Sequence, residues 1–448
     1  MVREIRSDRD RLQNQLAAFE QRLAAADSAM RDYGHPDRVP TEEWFSSENT
    51  DKEKTSPWLD EDFNDARSLL FLAALDLHRS FIHDQRRILR SNLFAAYDVL
   101  MNAAPRSTDA RAVRAAWESL FLVVPTVTTT FASLPRVFGS LQSERLGWLL
   151  IDEAGQAAPQ HALCGIWRTS NSVLVGDPLQ LQPVVSLPIV HQRTLLRMTG
   201  TSDRWLPASN PAQVLADRNA RYVARIQVPG MDEITVGAPL RVHRRCDNPM
   251  FDVVNDSVYG GMMVHGGERT DAFMVGDSEA PPSAWFDVAG ISWNGHNSLE
   301  QIALLDDVLG FLRRAGHPMS EILVISPFSD VARALRSSAI RFGMDASKQA
   351  GTIHTAQGKE ADIVILVLGG HTSGARNWAA GTPNLFNVAV SRARRRIFVI
   401  GSHRDWATLP YFQHLAVALE RHPATVDVNS LFDRAAFQNG ASGSASRA

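Results

Sequence analysis

Short apolar runs, each ended by turn or polar residues, recur through the later part of the chain. Stretches of helical periodicity separate them, for example over residues 298–314 and 331–342. Apolar strands that alternate with helices indicate parallel sheets covered on both faces. We therefore predict an α/β fold with two parallel-sheet lobes, over residues 119–238 and 239–425. The predicted strands lie at residues 149–151, 173–175, 285–288, 321–328, 363–368 and 397–400.

A different pattern fills the N-terminal 118 residues. Apolar residues recur at heptad positions over residues 1–31 and at helical spacing over 60–103, with a loop rich in Gly, Pro, Ser and acids at 32–58. This pattern predicts a helical arm in which two long helices form an antiparallel hairpin. Packing within the chain and binding of a partner are both open, and we favour packing within the chain.

Two further segments complete the predicted organisation. Residues 121–131, FLVVPTVTTTF, are rich in β-branched side chains and predict a strand that ends in threonines. Residues 186–239 predict a connector between the lobes. Residues 426–448 predict a partly disordered tail, because Gly, Ser and Ala dominate its end.

Polar residues follow two of the predicted strands of the first lobe. Asp152 and Glu153 come directly after one strand, and Gly176, Asp177 and then Gln180 follow the next. Ligands of open α/β sheets bind beyond the carboxyl ends of such strands. There, one acid could hold Mg²⁺, the other could deprotonate a water that attacks a γ-phosphate, and the amide could sense that phosphate. The alternative is that the two acids only cap the following helix.

Composition narrows the class of protein without identifying it. The 448 residues suffice for two or three domains, and 44% hydrophobic with 21% charged residues is ordinary for a globular protein. A net charge of −3 gives no overall nucleic-acid signature, although a groove can still be locally basic. Cys164 and Cys246 indicate neither a disulfide framework nor a zinc site. Without a secretory signal or a membrane-length apolar run, we predict a cytoplasmic protein with no membrane partner.

Five segments, in order, resemble the motifs of superfamily 1 helicases, in the 5′→3′ branch that includes the nonsense-mediated-decay RNA helicase. DEAGQ at 152–156 resembles motif II, the Walker B element, and GDPLQLQP at 176–183 resembles motif III. LRVHRRCDNP at 240–249 resembles motif IV, except that Arg244 stands where the family usually has an aromatic residue. GTIHTAQGKEAD at 351–362 and NLFNVAVSRARRR at 384–396 resemble motifs V and VI.

The resemblance implies two RecA-like lobes that couple hydrolysis of ATP, with Mg²⁺, to movement along single-stranded DNA or RNA. It implies that Asp152 holds the metal and Glu153 acts as the base, with Gln180, Arg245 and Arg392 at the γ-phosphate. The alternative for the arginines within residues 392–396, considered without the other motifs, is that they form the solvated basic end of a helix. The residues expected at the nucleotide are Gly176, Asp177, Gln357, Gly358 and Glu360. The residues expected at the nucleic acid are Thr128, Thr129, Thr130, Ser326, Pro327 and Thr355.

One part of such an enzyme has no counterpart in the sequence. A phosphate-binding loop, G-x-x-x-x-G-K-[ST], does not occur, and none of the four lysines follows a strand and a glycine turn. We therefore expect an incomplete first lobe, with the loop in a missing N-terminal portion or on another protein. A degenerate relative is a third explanation. The rival function is a non-hydrolysing nucleic-acid-binding or scaffold protein.

Overall fold

The computed structural model describes residues 2–32, 40–46, 50–54, 61–105, 107–229, 231, 233–267, 269, 272–276, 278–425 and 427–428. Contacts divide the chain into two units. One unit contains residues 1–104 and 115–125, and the other contains 105–114 and 126–448. Among the described helices, none is both long enough and apolar enough to cross a membrane.

The first unit is helical, as predicted. Its helices are α1 (Val2–Asp32), α2 (Glu42–Ser46), α3 (Asp51–Lys54), α4 (Glu61–Asp84), α5 (Arg86–Leu100) and most of α6 (Ala110–Val123). Helices α2 and α3 lie within the predicted loop, and residues 33–39, 47–49 and 55–60 of that loop lie outside the described residues.

Over the side chains that the structure describes, the two long helices do not show the predicted packing against each other. The side chains of residues 11–29 in α1 are all exposed, and α4 has no buried residue. Residues 69–72 of α4 are four consecutive large apolar residues, which spread around the helix and form no single stripe. Burial in this unit is found in α5 and α6, where Asn92 Nδ2 donates to Ser119 Oγ at 3.0 Å.

The second unit begins with a small parallel sheet. Strands β1 (Leu146–Ile151) and β2 (Thr169–Leu174) pair in parallel, as predicted, with α7 (Leu134–Phe138) and α8 (Pro159–Ile166) beside them. The predicted strand at 121–131 is wrong, because α6 continues to Val123 and residues 124–130 form no strand. β-Branched residues favour a strand only where a neighbouring strand can pair with them, and no described strand pairs with this segment.

The predicted connector contains regular structure of its own. Its elements are α9 (Ile189–Met198), α10 (Ala212–Asn219) and the antiparallel pair β3 (Ala224–Ile226) and β4 (Ile234–Val236). Small strand pairs and one helix follow: β5 (Val242–His243) with β6 (Val264–His265), α11 (Met250–Ser257), and β7 (Met274–Val275) with β8 (Ser278–Glu279).

A six-stranded parallel sheet forms the second lobe and confirms the predicted α/β fold class. The strand order is β13-β12-β14-β15-β9-β16. Its strands are β9 (Ala284–Asp287), β12 (Ile322–Ser326), β13 (Ala350–Thr352), β14 (Ala361–Val367), β15 (Ala393–Gly401) and β16 (Glu420–Pro423). The hairpin strands β10 (Trp293–Asn294) and β11 (Asn297–Ser298) follow β9.

Helices cover this sheet and explain its continuous apolar runs. In β14, Ile363 to Val367 are all 0% exposed, as expected for a strand covered on both faces. The helices of this region are α12 (Leu299–Arg314), α13 (Ser329–Arg341), α14 (Ala346–Gln349), α15 (Ser373–Ala379), α16 (Pro383–Ser391), α17 (His403–Trp406) and α18 (Phe412–Ala418). Of the predicted tail, all but residues 427–428 lies outside the described residues.

The central strand yields a stability prediction. Ile365→Ala removes three carbons from a fully buried position, so we expect the free energy of unfolding to fall by about 2–5 kcal/mol. Ile340→Ala, at a position 68% exposed on α13, should change it by about 0.5 kcal/mol or less. Urea unfolding followed by circular dichroism measures both. Equal effects of the two substitutions would contradict the assigned core.

Candidate functional site

The two acids after β1 lie on a tight turn. Glu153 has φ +52°, in the left-handed region that non-glycine residues seldom adopt, and its backbone N–H donates to Asp152 Oδ1 at 2.9 Å. The backbone N–H of Ala154 donates to the carbonyl of Val175, just after β2, at 2.8 Å. Glu153 makes no side-chain capping bond, and the following α-helix begins only at Pro159. The alternative that these acids serve as helix caps is therefore wrong.

Two amides hold the Glu153 carboxylate. Its Oε2 accepts hydrogen bonds from Gln156 Nε2 at 3.1 Å and from Gln357 Nε2 at 3.3 Å. Gln357 belongs to the turn after β13, so the second lobe orients an acid of the first. The amide oxygen of Gln357 is buried and has no hydrogen-bond partner among the described residues. A donor on a ligand or a bound water would satisfy it.

The two glycines expected at the nucleotide have different structural reasons. A Cβ atom on Gly176 would lie 2.5 Å from Gln213 Oε1 and 2.8 Å from the backbone nitrogen of Gly155. Any larger residue would therefore push the ends of β1 and β2 apart. In this structure the expected nucleotide residue Gly176 has a packing role. The other expected glycine, Gly358, is exposed and has φ +74°, which glycine adopts without strain.

Arg392 is a buried cation that bridges the two lobes. Its side chain is 1% exposed and donates to Gln180 Oε1 at 3.4 Å, besides the Val388 and Lys359 carbonyls, each at 3.2 Å, and Ser391 Oγ at 3.3 Å. Burial, with the nearby charge of Arg245, lowers the pKa of Arg392 to about 10, so the guanidinium stays charged at pH 7. Each of these acceptors is neutral. The negative charges of Glu153 and Glu360 favour its charged form, but among the described residues no carboxylate accepts a hydrogen bond from it. A buried cation with only neutral acceptors is the kind of group that an anionic ligand stabilises.

The alternative of a solvated basic helix end at 392–396 is wrong. Arg392 and Arg395 are both less than 9% exposed, and Arg395 forms an ion pair with Asp247 at 3.1 Å. Arg394 forms an ion pair with Asp362 at 2.9 Å. These arginines are built into the second lobe.

Arg245 has a carboxylate partner, unlike Arg392. Its Nε lies 2.8 Å from Glu360 Oε2, and Glu360 Oε1 also lies 3.6 Å from Arg394 Nη1. The pair borders an open pocket of about 500 Å³. The pocket is lined by Val242, His243, Arg244, Arg245, Met263, Arg269, Glu360 and Arg394.

Sequence reasoning missed three residues that hold the motif III segment. The Tyr259 hydroxyl donates to Asp177 Oδ2 and accepts from Asn387 Nδ2 at 2.9 Å. Asn387 Nδ2 also donates to the carbonyl of Leu179 at 3.0 Å, and Asn384 Nδ2 donates to that of Gln180. Asp177 accepts from Gln180 Nε2 at 3.1 Å, so its carboxylate organises this loop. Asparagines on the otherwise apolar helix α16 were the available sequence signal, whereas Tyr259 had none.

The structure presents some of the expected nucleic-acid residues and buries others. Thr128 to Thr130 are exposed, and so is Thr355, whose Oγ1 donates to the Thr352 carbonyl at 2.9 Å. Ser326 is 0% exposed and its Oγ accepts from the backbone of Phe328, while Pro327 is also buried. Their side chains are not available to a ligand here. Arg336, exposed on α13, lies near Thr355, because its guanidinium and the Thr355 hydroxyl both lie within 4 Å of the Cβ position of Gly351.

Two family models match the chain, and each is described as an AAA domain. They cover residues 2–187 and 235–404. Each match covers less than half of the chain. Domains of this kind imply the use of a nucleotide, and the matches support the helicase resemblance of the motifs without singling out its nonsense-mediated-decay branch.

Individual relatives are distant. The chain is 22% identical over 296 residues to the DNA replication ATP-dependent helicase/nuclease JHS1 of Arabidopsis thaliana, covering 60% of this chain and 20% of that protein. It thus spans about a fifth of the length of this relative. Among solved structures it is similar to arterivirus nonstructural protein 10, a helicase in complex with DNA. That match has 15% identity and a TM-score of 0.31, covering 59% of this chain and 42% of that one. The PRRSV helicase gives 16% identity and a TM-score of 0.29, covering 65% and 52%.

The link between Tyr259 and Asp177 can be tested by removing one oxygen atom. Tyr259→Phe removes a hydrogen bond to the Asp177 carboxylate and one from Asn387, which keep Gln180 and the Leu179 carbonyl as partners. Because the lost bonds lie in a partly buried region and one of them is made to a charged group, we expect the free energy of unfolding to fall by about 1–3 kcal/mol. Tyr222→Phe, at a residue 76% exposed, is the matched control and should have little effect. Urea unfolding measures both, and indistinguishable curves would contradict the link.

His243 makes stability depend on pH. Burial, aided by the positive charges of Arg245, His265 and Arg392, lowers its pKa from 6.5 to about 4, and its Nε2 accepts from the backbone of Cys246 at 3.0 Å. The unfolded chain binds this proton below pH 6.5 while the folded chain resists it to about pH 4. The contribution is therefore complete above pH 6.5 and is lost as pH falls towards 4.

The test compares melting temperatures across this pH range. The stability advantage of the unaltered chain over His243→Gln should shrink as pH falls from 6.5 to 4. His191→Gln, at an exposed histidine, is the control and should show a difference that does not vary with pH. A pH-independent difference for His243→Gln would show that its imidazole is not held neutral.

Proposed function

We propose that this chain forms the motor portion of an ATP-dependent helicase or translocase that moves along single-stranded DNA or RNA. The observation that carries the proposal is Arg392, a buried guanidinium that contacts Gln180 across the lobes and has only neutral acceptors. A leaving γ-phosphoryl group spreads negative charge over its oxygens, and a buried, oriented guanidinium stabilises that charge.

The surrounding donor set fits the γ-phosphate end of a Mg²⁺-nucleotide. Asp152 is exposed at the end of β1, where its carboxylate would hold the metal. Glu153, kept in orientation by Gln156 and Gln357, would accept a proton from the attacking water. ATP and Mg²⁺, when bound, supply the phosphoryl group and its charge.

Residues of both lobes meet at this site, which supports coupling of hydrolysis to movement. Gln357 contacts Glu153, Arg392 contacts Gln180, and Tyr259 contacts Asp177. When the charge of a bound nucleotide changes on hydrolysis, the contacts that these residues make between the two lobes would change as well. Such contacts convert a chemical step into lobe motion.

The proposal includes a phosphate-binding loop contributed by residues other than 1–448, because the sequence contains none. The coding sequence that adjoins the Met1 codon is the first place to look for that loop. The narrower relation to the nonsense-mediated-decay branch and the cytoplasmic location stay predictions. The missing loop is also the observation that favours the rival function, a non-hydrolysing nucleic-acid-binding or scaffold protein.

A charge-removing substitution tests the proposed base. In the enzyme completed by its loop, Glu153→Gln should lower strand-stimulated ATP hydrolysis by about 100-fold or more, because the amide cannot accept the proton. Nucleotide affinity should stay within about threefold. Glu144→Gln, the same change at an exposed position shortly before β1, should leave both unchanged.

The outcomes separate the two functions. Hydrolysis that is stimulated by single strands and lost in Glu153→Gln supports the motor. Unchanged turnover in Glu153→Gln contradicts the role of that residue. Strand binding that is indifferent to nucleotide, with no hydrolysis by the completed protein, supports the rival.

A further inference from the structure

We infer that Trp293, His371 and Trp378 form a stacking surface for the bases of a single-stranded nucleic acid, and this rests on the proposed function. The three residues lie beyond the carboxyl ends of strands in the six-stranded sheet. Trp293 follows β9, while His371 and Trp378 follow β14. All strands of this sheet are parallel, so these loops emerge at the same edge as the turn after β13 that contains Thr355.

Aromatic rings from the β10–β11 hairpin lie beside aromatic rings from the segment after β14 at this edge of the sheet. The rings of Trp293 and His371 stack with centroids 4.9 Å apart and planes 20° apart. The rings of His296 and Phe328 lie 4.6 Å apart, and that of Trp378 lies 6.1 Å from Phe328. Phe328 is buried, whereas His371 is exposed and Trp378 is 57% exposed. Trp293 is partly buried beneath the stacked His371 ring, so the rings that face solvent are those of His371 and Trp378, and they lie on Trp293 and Phe328.

Hydrogen bonds hold the Trp293 indole and the backbone of the loop that carries His371 before any ligand arrives. Trp293 Nε1 donates to the Gly290 carbonyl at 3.1 Å, and a Cβ on Gly290 would lie only 2.1 Å from the indole. The Gly370 backbone N–H donates to the His296 carbonyl at 3.1 Å, and Arg376 Nη1 donates to the His371 carbonyl at 3.2 Å. Rings that are already ordered lose little conformational entropy on binding, which favours a recognition surface.

The charged groups beside the rings are engaged with the protein itself. Glu300 accepts from the backbone N–H groups of Ile291 and Ser292, and Asp330 accepts from that of His296. Arg376 lies 3.7 Å from Asp405. Contacts at this surface would therefore be made by ring faces more than by ion pairs. Bases offer such faces whatever their sequence, and phosphates do not.

Strand binding by the full 448-residue chain tests the inference. Fluorescein-labelled oligo(dT) and oligo(U) are titrated at several salt concentrations, and anisotropy is measured. Trp378→Ala and His371→Ala should each weaken binding about fivefold or more, because the lost contact is base stacking. The slope of log affinity against log salt should stay unchanged, because no phosphate contact is removed. Trp205→Ala, at a similarly exposed tryptophan (51%), is the control.

A strand with abasic sugars in place of bases sharpens the test. The unaltered chain should bind it more weakly than the intact strand, whereas Trp378→Ala should discriminate less between the two, as expected for coupled partners. Trp378→Phe keeps a ring and should retain most of the affinity, which separates lost stacking from misfolding.

Each outcome is decisive. If the unaltered chain binds strands and the ring variants bind equally well, the stacking surface is overturned and the proposed function stands. Variants that bind more weakly but discriminate abasic strands as fully as the unaltered chain also overturn it. If the unaltered chain binds no strand even at low salt, the strand-binding part of the proposed function fails, and the stacking surface fails with it.

Discussion

The burial of a charged guanidinium is the constraint on which the candidate site depends. Arg392 is 1% exposed and charged at pH 7, yet the acceptors around it are carbonyl, hydroxyl and amide oxygens. Its position is set by α16 on one side and by the Lys359 carbonyl on the other. Because one acceptor is Gln180 of the first lobe, the same cation ties motif VI to motif III. The same charge that could stabilise an anion thus also contributes to the contact between the lobes.

The neutral groups around this cation fix the loop that it contacts. Tyr259 and Asn387 connect Asp177 and Leu179 to the second lobe, and Asn384 binds the carbonyl of Gln180. Burial and the negative charge of Asp177 raise the pKa of Tyr259 well above its usual value, so the hydroxyl keeps its proton and remains a donor. The motif III segment is therefore held by hydrogen bonds that do not change near neutral pH.

Sequence patterns correctly predicted those elements that depend on local sequence or that are completely buried. The continuous run of β14 predicted a strand because only a strand covered on both faces is apolar throughout. The strand predicted from the β-branched residues at 121–131 was wrong, because a strand also needs a neighbouring strand to pair with. The predicted packing of α1 against α4 was not found over the described side chains. Helical periodicity shows which side of a helix could be buried, but it does not show what packs against that side. Tyr259 could not be predicted, because it meets a partner 82 residues away in sequence.

The two motif arginines show why a motif alone does not define a site. Both were expected at the same phosphate, yet they differ in exposure and in their ion-pair partners. Arg245 is half-exposed and paired with Glu360 at 2.8 Å, so contact with an anion would first require that pair to open. Among the described residues no carboxylate forms an ion pair with Arg392, and its guanidinium is already desolvated in the folded chain. A buried cation that is already oriented stabilises new negative charge without reorganisation, whereas a paired one must exchange partners. Arg392 is therefore the stronger candidate for stabilising the transition state, and Arg245 for responding to lobe closure.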